Sequence, residues 1–417
     1  MYRKNLWITL SLVNLCIVAL FGVTLRTKFV FYLPFLDYRN FESAHSHFAF
    51  GGWVTLILMV LFIDNLLKED QKQKKIYQWI LWGIEINALG MVISFPFKGY
   101  AFFSILSSTT FIFFTFGFSW VFIKDVLKAR KEKLIRLLSI GAVVSLVISA
   151  VGPFTLAYVM ATKTGYAFLF KDAVYTFMHF QYNGYFTLSV FALLFNQVQP
   201  YIDEAVKKRM WRFAICLCLS IIPSLFLSLL WHSFNVYIRT AAMIGCGLIV
   251  ITIVFFCSFA FNSKLYLSFK SAARNLLILA MISFGIKMLL QTGTIFPALG
   301  NAVFGFRPII IGFLHLVFLG LVTFYILSNL LQNASFDLRK SISRIAVLFF
   351  STAIIINETI LLIDGIGLMF YTTNRSFPWL LWGASILLFT GAVLILVARI
   401  STMKNRMENI MVTVDQQ

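Results

Sequence analysis

Positions 380–397 of this chain run for eighteen consecutive residues without a charged side chain, and similar apolar stretches recur along its length between basic or turn-forming clusters. Such a run finds no counterpart in a soluble core of ordinary size. About 20 apolar residues at roughly 1.5 Å of helical rise per residue match the ~30 Å hydrocarbon layer of a bilayer. Barrel strands would alternate apolar and polar over about ten residues, and these runs do not alternate. Backbone polar groups inside lipid must also be satisfied within the segment itself, which leaves helices. The composition, 60% hydrophobic and 12% charged, agrees with this. The sequence predicts an all-α integral membrane protein.

Reading apolar runs against charged breaks gives twelve transmembrane helices in one domain covering 1–417. They fall at 6–24, 44–67, 76–95, 101–123, 137–158, 172–196, 210–231, 238–261, 274–291, 308–330, 343–364 and 380–400. With these spans, 25 of the 35 lysines and arginines lie on the side that holds both termini, nine lie on the other, and Lys287 alone is within a span. Basic residues mark the cytoplasmic face, so both ends are expected there, in the cell inner (cytoplasmic) membrane. The net charge of +19 then reads as attraction to anionic lipid, with no nucleic-acid partner implied. No internal sequence repeat is evident. The first run is expected to be retained as a span, since it is long for a signal peptide and lacks a small-residue cleavage site.

Polar groups inside a bilayer are costly unless paired, so they are functional candidates. The five histidines, His45, His47, His179, His232 and His315, all fall in the outer half of the bilayer on spans two, six, seven and ten. Imidazoles at one depth on several helices suit a metal or haem iron buried between them. His45 and His47 open span two and, two residues apart on a helix, cannot both face one iron. His179 and His315 lie about 10 Å inside the outer face, too deep for a headgroup role. His232 ends span seven beside Trp231, where an interfacial role is the simpler account. Arg39 and Arg307 sit at outer helix starts, where each meets either haem propionates or headgroups. Glu85, Asn87, Gln181, Asn183, Lys287, Gln291, Asn357 and Glu358 add a polar interior, and Lys287 is placed to pair with Glu358. The five cysteines lie in apolar runs, and the absence of a Cys-x-x-Cys-His stretch excludes covalent haem attachment.

Three segments carry a resemblance. SAHSHFAFGGW at 43–53, MHFQYNG at 178–184 and LHLVFLG at 314–320 resemble the second, sixth and tenth helices of subunit I of the heme-copper oxidase superfamily. The first segment is also similar to the related nitrosative-stress haem and copper membrane proteins. The resemblance implies a twelve-helix bundle with a low-spin haem held by His45 or His47 and by His315. It further implies a second pocket near His179 and His232 for copper or another haem, and a respiratory electron donor or other oxidase subunits as partners. The chain departs from that pattern. It has five histidines where a complete centre uses six, lacks the adjacent pair on span seven, and has Tyr182 three residues after His179 where the family tyrosine follows by four.

The expected function is therefore that of a degenerate member binding noncovalent b-type haem, in electron transfer or the handling of nitric oxide or oxygen. Two other classes remain at this point. Glu85, Lys287 and Glu358 would serve a cofactor-free proton-coupled transporter, and the chain would also suit a noncatalytic accessory subunit of a respiratory complex. No nucleotide-binding loop, paired hydrolytic carboxylates or Ser/His/Asp order is present.

Overall fold

The computed structural model describes residues 3–162, 167–232, 235–372 and 374–414, with side chains other than those of 263, 304 and 406–414. The described residues form helices and short connections, with no strand among them. Eleven helices are long and apolar enough to cross a membrane. They are α1 (Lys4–Val30), α2 (Tyr38–Leu66), α3 (Lys75–Lys98), α4 (Phe102–Lys128), α5 (Lys133–Thr162), α7 (Glu204–Leu229), α8 (Val236–Ala260), α9 (Ser271–Gly293), α10 (Arg307–Gln332), α11 (Ser341–Met369) and α12 (Phe377–Asn405). Between α5 and α7 runs α6, continuous over 167–198. It is as long as the others, but Lys171, Asp172, His179, Gln181 and Asn183 make it too polar to meet the same apolar criterion.

Burial explains how α6 tolerates that composition. Every residue from 179 to 195 is buried, and the same holds for 51–63 of α2 and 320–331 of α10. A helix sealed on all faces has no lipid contact along that stretch and need not be apolar on any particular side. The other helices pack around these three, with α1 meeting α12 to close the bundle. Outer helices show lipid-facing stripes instead. Trp79, Ile86 and Ile93 recur every seven residues on α3 and are all exposed.

The three inner helices are copies of one design. Residues 47–56, 179–188 and 315–324 read HFAFGGWVTL, HFQYNGYFTL and HLVFLGLVTF, sharing a histidine, an aromatic three later, a glycine five later and a threonine eight later. The histidines stand 132 and 136 positions apart (179 − 47 and 315 − 179), about a third of the chain. This corrects the expectation of no internal repeat. Each copy contains a π-helical turn just after its histidine, at Ala49–Thr55, Phe180–Phe186 and Leu316–Thr323. Such turns are rare and widen the helix by one residue. Two of the threonines brace it: Thr187 Oγ1 donates to Tyr182 O at 2.6 Å and Thr323 Oγ1 to Phe318 O at 2.8 Å, each five residues back.

The shared glycine is where a neighbouring helix crosses. A Cβ on Gly184 would lie 2.3 Å from Ser145 Cβ of α5, and one on Gly320 2.7 Å from Ser283 Oγ of α9. In the first copy Asn14 of α1 donates to Gly52 O at 2.8 Å. Small residues let helices approach closely in lipid, where packing has no hydrophobic contrast to drive it. The three copies also hold one another. Tyr185 OH donates to Thr55 O and Trp53 Nε1 to Thr323 Oγ1, both at 3.4 Å. The third copy has Leu321 at that position and no donor to offer α6. Phe50, Phe186 and Phe318, one from each inner helix, meet in a triangle with ring centroids 4.6–5.7 Å apart.

Helix ends differ from the sequence reading where it affects the site. Span one was expected to stop at residue 24 but α1 runs to Val30, which brings Arg26 into the helix. Span two was expected to begin at residue 44 but α2 starts at Tyr38, capped by Asp37 accepting from Asn40 N at 2.9 Å. His45 and His47 therefore sit about two turns inside α2 and do not open it.

Candidate functional site

The inner helices are sealed in one half and open in the other. From Arg307 to His315, α10 has no buried residue, although 320–331 of the same helix are buried throughout. The opening lies beside α1 and α2, where His45 and Gly22 are also only partly buried.

Two imidazoles border it with matching local chemistry. His45 Nδ1 lies 3.0 Å from Val18 O of α1, and His315 Nδ1 lies 2.8 Å from Ile311 O one turn back. A carbonyl only accepts, so each Nδ1 carries the proton and each Nε2 keeps a bare lone pair. Neither Nε2 has a hydrogen-bond partner among the described residues. The two rings lie within electrostatic range of each other. Gly22 gives the His45 ring its room, since a Cβ there would already touch Cε1 at 3.5 Å.

His47 points elsewhere. Its Nδ1 is 2.8 Å from Ser43 O, its ring packs on Phe95 at 4.6 Å, and Tyr100 OH is 3.4 Å from Nε2. His45 thus lies within electrostatic range of His315, whereas His47 is turned toward α3.

Of the outer arginines, Arg307 pairs with Glu42 and lies over the Tyr38 ring at 5.0 Å, while Arg39 is exposed in the first turn of α2. Sequence reasoning missed Arg26. It lies within electrostatic range of His45, His315, Tyr38, Asp364 and Arg307, yet has no hydrogen bond or ion pair among the described residues. An unpaired guanidinium within a helix beside two open imidazoles is a ready anion partner. The signal available in the sequence was its place two residues beyond the expected end of span one.

The second set of candidates is organised differently. His179 Nε2 donates to Ile221 O at 2.8 Å, and its Nδ1 accepts from Asn183 Nδ2 at 3.0 Å. Asn183 Oδ1 in turn accepts from Lys287 Nζ. This directed chain uses both ring nitrogens of His179 and leaves no lone pair for a metal. His232 lies in the turn after α7, with Nε2 3.0 Å from Asp172 Oδ2 and its ring 3.9 Å from that of Trp231. The two histidines share no partner. These residues do not fit copper or a second haem. Among the described residues, no three His, Cys, Asp or Glu side chains converge into a metal cage.

The remaining intramembrane groups find local partners. Lys287 bonds Asn183 and does not pair with Glu358, which takes Asn357 Nδ2 at 3.0 Å on its own helix. Glu85 accepts from Asn14 Nδ2 at 2.7 Å, tying α3 to the α1–α2 crossing. No protein-family model matches the chain, and no curated protein is found similar to it.

Proposed function

We propose that this chain is a twelve-span haem protein of the inner membrane, with both ends cytoplasmic, in which His45 and His315 would hold one noncovalent b-type haem. One observation carries the reading. Two imidazoles within electrostatic range of each other each have Nδ1 fixed by a main-chain carbonyl and Nε2 left without a partner among the described residues. That is the arrangement by which proteins set the tautomer and aim of an iron-ligating histidine. The opening along Arg307–His315 supplies space beside them. Arg26, with Arg307 and Arg39 toward the outer face, would hold the propionates by charge-assisted hydrogen bonds. The basic residues on the opposite side support the orientation.

A bound haem would supply one-electron redox chemistry. Held by His45 and His315, it would serve electron transfer to or from a respiratory partner, or the handling of nitric oxide or oxygen. The likeness to the heme-copper oxidase subunit I pattern supports the same reading at the level of these three segments.

The test is spectroscopic. Purified protein from haem-replete cells should show a sharp reduced α band with a six-coordinate Soret maximum. His45→Ala and His315→Ala should each abolish the six-coordinate signature, while His47→Ala and His232→Ala retain it. A folded, haem-replete preparation without a Soret band would refute the reading. Haem found only with co-purifying chains would assign the protein to an accessory role.

A further inference from the structure

Beside Lys287 lies a cavity of about 10 Å³, lined by Asn183 of α6, Ser220 and Ser224 of α7, and Lys287, Met288 and Gln291 of α9. About this volume is the least that holds one water molecule. Leu217, Ile221 and Ile249 complete a mixed lining, and the hydrogen-bond needs of its polar groups are incomplete. Gln291 is 6% exposed, and its Oε1 has no partner in the protein. Lys287 is 1% exposed, has no carboxylate in ion-pair range among the described residues, and spends its donors on Asn183 Oδ1 and, weakly, Met288 Sδ at 3.4 Å. Ser220 and Ser224 give their protons to Leu217 O at 2.8 Å and Ile221 O at 3.3 Å, so toward the cavity they offer only lone pairs.

We propose that this cavity binds a single water molecule that bridges the Lys287 amine to Gln291 Oε1 and a serine oxygen. Accepting from Nζ and donating to the two oxygens, the water makes three hydrogen bonds, the usual number for a buried one. A small anion fits worse, because the other polar groups at the space, the two serine hydroxyls and Gln291 Oε1, offer it lone pairs and the rest of the lining is apolar. The pocket that the resemblance assigns to a metal is, on this inference, a hydrated amine between α6, α7 and α9. Nothing in it depends on haem at His45 and His315.

Hydroxyl-radical footprinting by an X-ray pulse on the detergent-solubilised chain tests it, since radicals formed from a bound water oxidise the side chains that line its site. Met288 lines the cavity, whereas Met59 is equally buried in the core without it. Met288 should be oxidised roughly tenfold faster than Met59. Ser224→Val, which fills the space, should bring Met288 down to the Met59 rate. Gln291→Leu, which removes the acceptor, should do the same and serves if the valine variant fails to fold. Equal rates for Met288 and Met59 in the unaltered protein, or a Met288 rate that neither variant changes, would overturn the proposal.

Discussion

Replacing Gly184 with alanine tests whether the inner helices are held by close backbone approach. In an ordinary helix the change would be favourable by up to ~1 kcal/mol, because alanine orders more cheaply than glycine. Here the new methyl would stand 2.3 Å from Ser145 Cβ, which belongs to the base of a side chain and cannot swing aside. Relief requires α5 and α6 to separate, and overpacking of this kind costs about 1–3 kcal/mol. Taking about 2 kcal/mol, the folded fraction relative to unfolded falls about thirtyfold. The expected pattern in SDS-titration or thermal-melt assays is clear destabilisation for Gly184→Ala. Most of it should be recovered in Ser145→Gly/Gly184→Ala, which moves the methyl to the other side of the same crossing. A single Gly184→Ala variant as stable as the parent would refute the crossing as described.

Trp53→Phe removes the indole bond to Thr323 at 3.4 Å and should cost about 1 kcal/mol in the same assay, with helicity by circular dichroism unchanged. Arg26→Gln, on the haem reading, should loosen haem retention and lower the midpoint potential by on the order of 50 mV, because a nearby cation favours the reduced iron. The exposed Arg39→Gln should shift it less, as redox titration would show. Asp203 caps α7 by accepting from Val206 N at 2.9 Å, and that bond, with help from Lys264, holds its carboxyl below the usual range. Its stabilising effect should be present above the ordinary aspartate pKa and fade as pH falls through the depressed folded value. Asp203→Asn keeps a capping oxygen and should remove this acid dependence from melts recorded between neutral and acidic pH.

What the sequence made legible follows from how each signal is encoded. Apolar runs such as 380–397 report lipid exposure directly, so eleven helices sit where hydropathy puts them. The helix α6 was found from its position between basic clusters, although its polar residues 179–183 face only protein. The repeat was hidden because just four positions in ten recur, and they serve a backbone widening that no periodicity rule anticipates. His45 and His47 could be separated by helical angle but not assigned, since the choice depends on Val18 O and Phe95 on two other helices. Arg26 was lost to a boundary placed six residues early. The Lys287 pairing failed for a similar reason: depth in the bilayer was readable, whereas the rotation of α9 and α11 about their axes was not.

The bonds among the three inner helices also set where the bundle can yield. Trp53 fastens α2 to α10 along the seam that holds His45 and His315, and Tyr185 fastens α6 to α2. Between α10 and α6, Leu321 offers no donor, and the polar tie lies further along, where Asn329 Nδ2 donates to Gln197 Oε1 at 3.4 Å. Near its histidine α10 is therefore latched to α2 alone, and its tie to α6 comes about four turns later, so strain placed on α10 at His315 meets the α2 seam first.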